Sequence, residues 1–176
     1  RSIRREVHRE LMETIERREQ LVWVPVTVAT LVPGVIFLVV PFIHALSQYI
    51  EATGDWDFLC GEGAELAIET ARLYSDLGFY KPNGPSTFHI FGVTGPDEYT
   101  TVVNDNLFTN LMARYNLRRA AEAMEVIHDE DPEAYQRLQR VVGLRDEEVE
   151  EWRTAEASMF IPYDEELGVH PQDDAF

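Results

Sequence analysis

The sequence predicts an all-α protein assembled from helix–loop–helix pairs. Apolar residues recur every three or four positions along most of the chain, and the stretches they mark open at cap-forming acids and close at glycines. Extended structure has little to build on, since only Thr87–Val93 and a valine-rich run near the start depart from that spacing.

Residues 2–20 (SIRREVHRELMETIERREQ) place Ile3, Val7, Leu11 and Ile15 at steps of four, the single apolar stripe of an amphipathic surface helix. Its arginines (Arg4, Arg5, Arg9, Arg17, Arg18) are interleaved with Glu6, Glu10, Glu13, Glu16 and Glu19, which favours a solvated face over an anion site. Residues 43–52 repeat the pattern through Leu46, Tyr49 and Ile50 and stop at Thr53-Gly54. Asp55 or Asp57 then caps a helix whose apolar side runs through Leu59, Leu66, Ala67, Thr70, Tyr74 and Leu77. Gly78 to Pro85 reads as a turn-rich connection into the extended Thr87–Val93. Residues 105–124 form a strong helix with Phe108, Leu111, Met112, Tyr115 and Met124 on one face. Asp131-Pro132-Glu133 supplies a cap, a first-turn proline and an acid matched to the helix dipole, and Gly143 closes that helix. Asp146 to Met159 carries Val149, Trp152, Ala155 and Met159 at helical spacing.

Residues 21–42 form an anomalous apolar segment. No residue from Gln20 to Ile50 is formally charged, and Leu21–Ile43 (LVWVPVTVATLVPGVIFLVVPFI) is long enough to span a bilayer behind Arg17-Arg18. Pro25, Pro33 and Pro41 interrupt it and its valines favour extended structure, so buried strands or loops are the better reading and a membrane span the weaker one. A charged helix precedes it and no small-residue cleavage site is evident, which excludes a signal peptide.

The chain has 176 residues, 45% of them apolar and 27% charged, a globular composition. Its 32 acidic residues against 15 basic give a formal charge of −17, a field that repels phosphate backbones and excludes nucleic acid as a partner. Cys60 stands alone and the histidines are scattered, so neither a disulfide nor a metal site is expected. The chain begins at Arg1 and ends at Phe176 directly after an acidic turn, and it reads as an excised piece.

The stretch His89–Tyr99 (HIFGVTGPDEY) sets Asp97 and Glu98 in a turn behind Gly95-Pro96. Gly tolerates unusual dihedrals and Pro fixes its own, so the turn can hold one carboxyl in a chosen place. On these residues alone a solvated acidic turn is the simpler reading.

The surroundings of that turn carry a resemblance. GVTGPDEYTTVVNDNLFTNLMARYNLRRAAEAM resembles the catalytic region of glycoside hydrolase family sixty-five, which contains maltose, kojibiose, nigerose and trehalose phosphorylases. HALSQYIEATGDWDFL is similar to the family's preceding helix and EVEEWRTAEASMFIPYDEELGVHPQDDAF to its following segment, so three motifs stand in the family's order over residues 43–176. The resemblance implies that residues 43–176 are part of an (α/α)6 barrel built from helical hairpins, with active-site loops at one end. It implies a cytoplasmic enzyme, homo-oligomeric at full length, that cleaves an α-linked glucose disaccharide with inversion. Phosphorolysis to a sugar 1-phosphate and glucose is the reaction implied, with inorganic phosphate as co-substrate, no cofactor, no metal and no membrane attachment. Glu98, the Glu of GPDEY, would be the general acid, and Asp97, Tyr99, Asn106, Asn110 and Gln172 would bind substrate. The alternatives are a hydrolase of the same family and a non-catalytic, membrane-anchored helical fragment.

One acid suffices for phosphorolysis because phosphate is already an anionic nucleophile, whereas an inverting hydrolase needs a second carboxyl about 6.5–9.5 Å away. To stay protonated near neutrality, Glu98 needs burial or a neighbouring like charge. Asp97 either braces the turn or meets sugar; Tyr99 either packs or stacks on it. Asn106 and Asn110, four apart on one helix face beside Asn104 and Asp105, either form an N-capping cluster or position the catalytic loop. Tyr163, His170, Gln172 and Asp173 lie in a loop similar to the family's PYDE…GVHPQDEGF, with Asp174-Ala175 in place of Glu-Gly and His170 expected to be structural. Upstream the family carries a tryptophan- and carboxylate-rich sugar-binding stretch where this chain has its valine-rich run, a departure that a shifted reading frame rejoining near Phe42 would explain. The remaining barrel and the family's phosphate loop are expected beyond Phe176.

Overall fold

The computed structural model describes residues 42–82, 86–96 and 102–176, and these are mainly helical. The expected amphipathic helix 2–20 and the apolar segment up to residue 41 lie outside the described residues. No helix among the described residues is long and apolar enough to cross a membrane.

Residues 42–53 form α1, which ends where Gly54 takes a φ of +65°, a conformation that suits glycine at a helix stop. Asp55 caps the next turn by accepting from Phe58 N at 3.0 Å, opening the short α2 (Trp56–Phe58). The helix expected over 59–77 is broken. Leu59–Gly63 make a π-helical turn in which Gly61 leaves helical geometry (φ −100°, ψ −118°), and α3 proper is Ala64–Leu77. Gly63 permits the tight path, because a Cβ there would stand 2.9 Å from the Phe58 carbonyl oxygen.

After the restart at Ala64, α3 buries Ala67 and Tyr74 of the expected stripe but not Leu66. Ala64, Ala67, Ile68, Ala71 and Tyr74 are buried, while Leu66 stays 49% exposed. The same correction applies to α4 (Leu107–Glu130), where Phe108 and Leu111 are half-exposed and the inward face is Thr109, Asn110, Ala113, Asn116, Leu117, Ala120, Ala121, Met124 and Ile127. The reason is steric. An alanine- and asparagine-rich face lets α4 approach α3 and α6 closely, and its amides find partners there: Asn116 Nδ2 donates to Thr70 Oγ1 at 2.9 Å.

Asp131 ends α4 and caps α5 (Pro132–Val141) by accepting from Ala134 N at 3.0 Å, as its position before proline predicts. Gly143 (φ +64°) turns the chain into α6 (Asp146–Ser158), which buries Val149, Trp152 and Ala155 as expected. Between α3 and α4 lies a hairpin absent from the sequence reading: β1 (Gly78–Tyr80) pairs antiparallel with β2 (Phe88–Ile90), Phe79 opposite His89. β1 is only three residues long and opens with glycine, which hides it from any periodicity argument. The start of Thr87–Val93 is extended as expected.

Arg72 ties α3 to the α5–α6 junction. Its guanidinium donates to both carboxylate oxygens of Glu148 at 2.8 and 3.0 Å and to the carbonyl oxygens of Val142 and Gly143 at 2.9 and 3.2 Å. The bond from Arg72, helped by the Arg145 backbone N–H and the charges of both arginines, holds the Glu148 carboxyl below the usual carboxylate range against the opposing effect of burial. A carboxylate with a depressed folded pKa stabilises the fold above its unfolded pKa and loses that contribution as pH falls through the folded value. Arg72→Met is therefore expected to lower stability near neutrality by about 1–3 kcal/mol in urea unfolding, because Glu148 and two carbonyls lose their donor. The gap to wild type should narrow in buffers well below the ordinary carboxylate range; a gap independent of pH would count against the pair.

Candidate active site

The residues on either side of GPDEY are pinned to one another at successive levels. Val93 and Val103 exchange both backbone bonds, at 2.9 and 2.8 Å, which ties together the two sides of the stretch that contains GPDEY. Nearer the hairpin, Gly92 N donates to Asn104 Oδ1 at 3.1 Å and Asp105 N donates to the Ile90 carbonyl oxygen at 2.9 Å. His89 Nδ1 and Asp105 Oδ2 meet at 2.8 Å, with both residues buried. The returning leg carries two non-glycine residues in the left-handed region, Val102 (φ +63°) and Asp105 (φ +49°). Asp97, Glu98 and Tyr99 lie outside the described residues.

Asn106 connects this base to everything around it. As N-cap of α4 its Oδ1 accepts from Thr109 N at 3.1 Å and from Thr109 Oγ1 at 3.3 Å. Its Nδ2 donates to the Gln172 carbonyl oxygen at 3.2 Å, and Leu107 N donates to the same oxygen at 2.9 Å. Gly95 of the loop presses on this amide so closely that a Cβ there would lie 2.5 Å from Nδ2.

Asn110, one turn on, donates from Nδ2 to the Phe160 carbonyl oxygen at 2.8 Å and to Asp105 Oδ1 at 3.2 Å. Phe160 N in turn donates to the Phe88 carbonyl oxygen at 2.8 Å, which fastens the end of α6 to β2. The loop 170–176 closes over the same base. Asn104 Nδ2 donates to Asp174 Oδ2 and Asp174 N donates back to the Asn104 carbonyl oxygen, both at 3.2 Å. Asp173 is buried and accepts from Ala175 N at 2.9 Å, and His170 Nδ1 donates to the Pro162 carbonyl oxygen at 2.6 Å.

Of the candidate substrate-binding residues, Asn106, Asn110 and Gln172 are thus gathered at the loop base. Asn106 and Asn110 are fully buried, with their amide nitrogens on groups of the chain itself, so in these residues the amides hold backbone segments together. Gln172 contributes its backbone carbonyl. The sequence reading missed His89 and Phe160. The available signal for His89 was its place in an extended segment two residues after a threonine, with Asp105 directly before the cap residue. No group of three His, Cys, Asp or Glu among the described residues could hold a metal ion.

The sequence model of the glycosyl hydrolase family 65 central catalytic domain matches residues 27–176. The chain belongs to that family. The family match begins inside the apolar segment, ahead of Phe42. An α,α-trehalose phosphorylase of Thermoanaerobacter brockii is 45% identical over 134 residues, which are 76% of this chain and 17% of the relative. An uncharacterized glycosyl hydrolase of Mycobacterium tuberculosis is 47% identical over 132 residues, 75% of this chain and 16% of that protein. Among solved structures, a putative kojibiose phosphorylase from the human microbiome superimposes with a TM-score of 0.66 at 25% identity, covering 78% of this chain and 18% of that one. The chain thus spans about a sixth of the length of the family 65 relatives it matches.

The contact between Gly95 and Asn106 makes a testable demand. Gly95→Ala is expected to destabilise the chain by about 1–3 kcal/mol in chemical unfolding, because the methyl group has no room beside the amide. Asn106→Ala loses the cap, about 0.5–2 kcal/mol, and opens that space. The double variant should therefore be hardly less stable than Asn106→Ala alone; strict additivity would show that the two residues do not press on each other.

Proposed function

We propose that this chain is the acid-bearing part of the (α/α)6 barrel of an inverting disaccharide phosphorylase, with Glu98 as general acid. The observation that supports it is the loop base: in a member of this family, the segment carrying GPDEY is closed by the Val93–Val103 pair and pressed against a buried amide. A rigid base is what general acid catalysis asks of a loop, since the proton must be delivered within hydrogen-bond reach of the leaving oxygen.

In the proposed reaction the bond between the anomeric carbon and the glycosidic oxygen breaks as Glu98 passes its proton to that oxygen. A phosphate oxygen attacks the anomeric carbon from the opposite face, so an α-linked disaccharide gives a β-configured sugar 1-phosphate and free glucose. Glu98 then regains its proton from solvent. Asp97 and Tyr99 would flank the sugar, and Asn106, Asn110 and Gln172 would serve it by holding the loop. The substrate reading leans towards trehalose, since the trehalose phosphorylases are 45–46% identical to this chain and the kojibiose phosphorylases 31–34%. Hydrolysis is the second reading, favoured by the mycobacterial relatives whose names say glycosyl hydrolase. A full-length enzyme that releases sugar 1-phosphate only when inorganic phosphate is supplied separates the two.

Glu98→Gln in the full-length enzyme tests the acid. General acid catalysis contributes about 10²–10⁴-fold, and turnover of the disaccharide should fall by at least that much. A glycosyl fluoride of the same anomeric configuration needs little protonation of its leaving group and should be far less affected. Equal slowing of both donors, or of neither, would remove Glu98 from the role. Asp97→Asn should show no such selectivity.

A further inference from the structure

His89 and Asp105 form a buried pair that the proposed chemistry does not use. Their side chains meet at 2.8 Å and the residues are 3% and 4% exposed. The other ring nitrogen of His89 lies 2.8 Å from Thr87 Oγ1, and Phe160 stacks on the ring at 4.8 Å with 23° between the planes. Nδ1–H donates to the carboxylate, and Nε2 shares a hydrogen bond with the threonine hydroxyl. Asp105 Oδ1 accepts from Asn110, so the carboxylate is gripped from two sides.

Such a pair is a poor source of stability. Desolvating a carboxylate offsets most of what its partner returns, and well-packed apolar groups of the same shape are often neutral or better. Its location indicates a different role. His89 lies on the outgoing leg of the GPDEY loop and Asp105 on the returning leg, one step outside the Val93–Val103 pair. Asp105 holds a φ of +49°, and Val102, three residues earlier, holds +63°. A β-branched residue in that region is a genuine outlier, and such strain persists only where the surroundings over-determine it, typically beside functional sites. The doubly held Asp105 carboxylate is a surrounding of that kind.

We propose that the His89–Asp105 pair is the positioning device of the acid loop: His89 acts through Asp105, fixing the left-handed step that returns the loop and so the place at which Glu98 stands. Both are positioning residues and neither touches substrate. The inference rests on the reading of Glu98 as general acid.

The test compares variants of the full-length enzyme on a disaccharide and on a glycosyl fluoride of the same anomeric configuration. His89→Phe keeps the stack on Phe160 and removes the N–H; His89→Asn keeps an N–H donor near the position of Nδ1; Glu98→Gln reports the acid itself. His89→Phe is expected to lower kcat on the disaccharide by about 10²-fold at nearly unchanged KM, the effect of displacing a catalytic group by about 1 Å. Its effect on the fluoride should be several-fold at most, and His89→Asn should recover most of the disaccharide rate. If Glu98→Gln spares the fluoride but His89→Phe slows both donors in parallel, or neither, the positioning role is overturned and the acid assignment stands. If Glu98→Gln slows both donors alike, the acid assignment falls and this inference with it. Should His89→Phe fail to fold, Asp105→Asn takes its place under the same criteria, since asparagine tolerates the left-handed backbone while removing the charge that faces His89.

Discussion

Polar groups that must be satisfied away from water govern this end of the molecule. Asp105, Asn106 and Asn110 are all buried at the start of α4, and an unpaired buried amide or carboxylate costs several kilocalories per mole. Each finds a partner in a distant part of the chain: β2 through His89, the end of α6 through Phe160, and the loop 170–176 through Gln172. Low local dielectric strengthens these bonds and penalises their loss, so the segments are positioned jointly. Hydrophobic burial brings α3, α4 and α6 together, but the amides decide how the loops at their ends are registered.

The small inward face of α4 makes that possible. Ala113, Ala120 and Ala121 are fully buried, and with so little side chain between them the helix backbones come close enough for an asparagine to cross the gap. Asn116 reaching Thr70 and Asn110 reaching the Phe160 carbonyl are examples. One polar atom at each of these positions, Asn110 Oδ1 and Asn116 Oδ1, is buried without a protein partner among the described residues, as is the Tyr74 hydroxyl. Burial accordingly pushes the Tyr74 phenol far above its ordinary range. A larger residue at the alanines would separate the helices and break the amide contacts before it broke the hydrophobic ones.

What could be read from the sequence follows from this division. Caps and stops are local events, and Gly54, Asp55, Asp131 and Gly143 act where their residue types place them. On α3 and α4 the expected stripes hold at Ala67, Tyr74 and Met124 and fail at Leu66, Phe108 and Leu111, because hydrophobic size is a weaker guide to burial than close approach, which selects small residues. Phe108 and Leu111 consequently remain half-exposed while Asn106 and Asn110 are fully enclosed. The break at Gly61 depends on the fit of Gly63 against the Phe58 carbonyl, which no spacing reveals. At the site, the asparagines after GPDEY were visible as a cluster, but their partners lie 50 and 66 residues away in sequence. Only the fold could name them.

The asymmetry of the GPDEY loop completes this picture. Its outgoing leg relaxes into Gly92, which takes φ +68° without penalty, while the returning leg meets the same geometric demand with Val102 and Asp105. A glycine at either place would relieve the backbone, yet at 105 it would also delete the carboxylate that receives His89 and Asn110. Backbone ease and side-chain registration therefore compete at that one position. The chain accepts a left-handed residue to keep a carboxylate between β2 and α4. The base held this way resists small displacements, because moving it breaks several buried bonds at once.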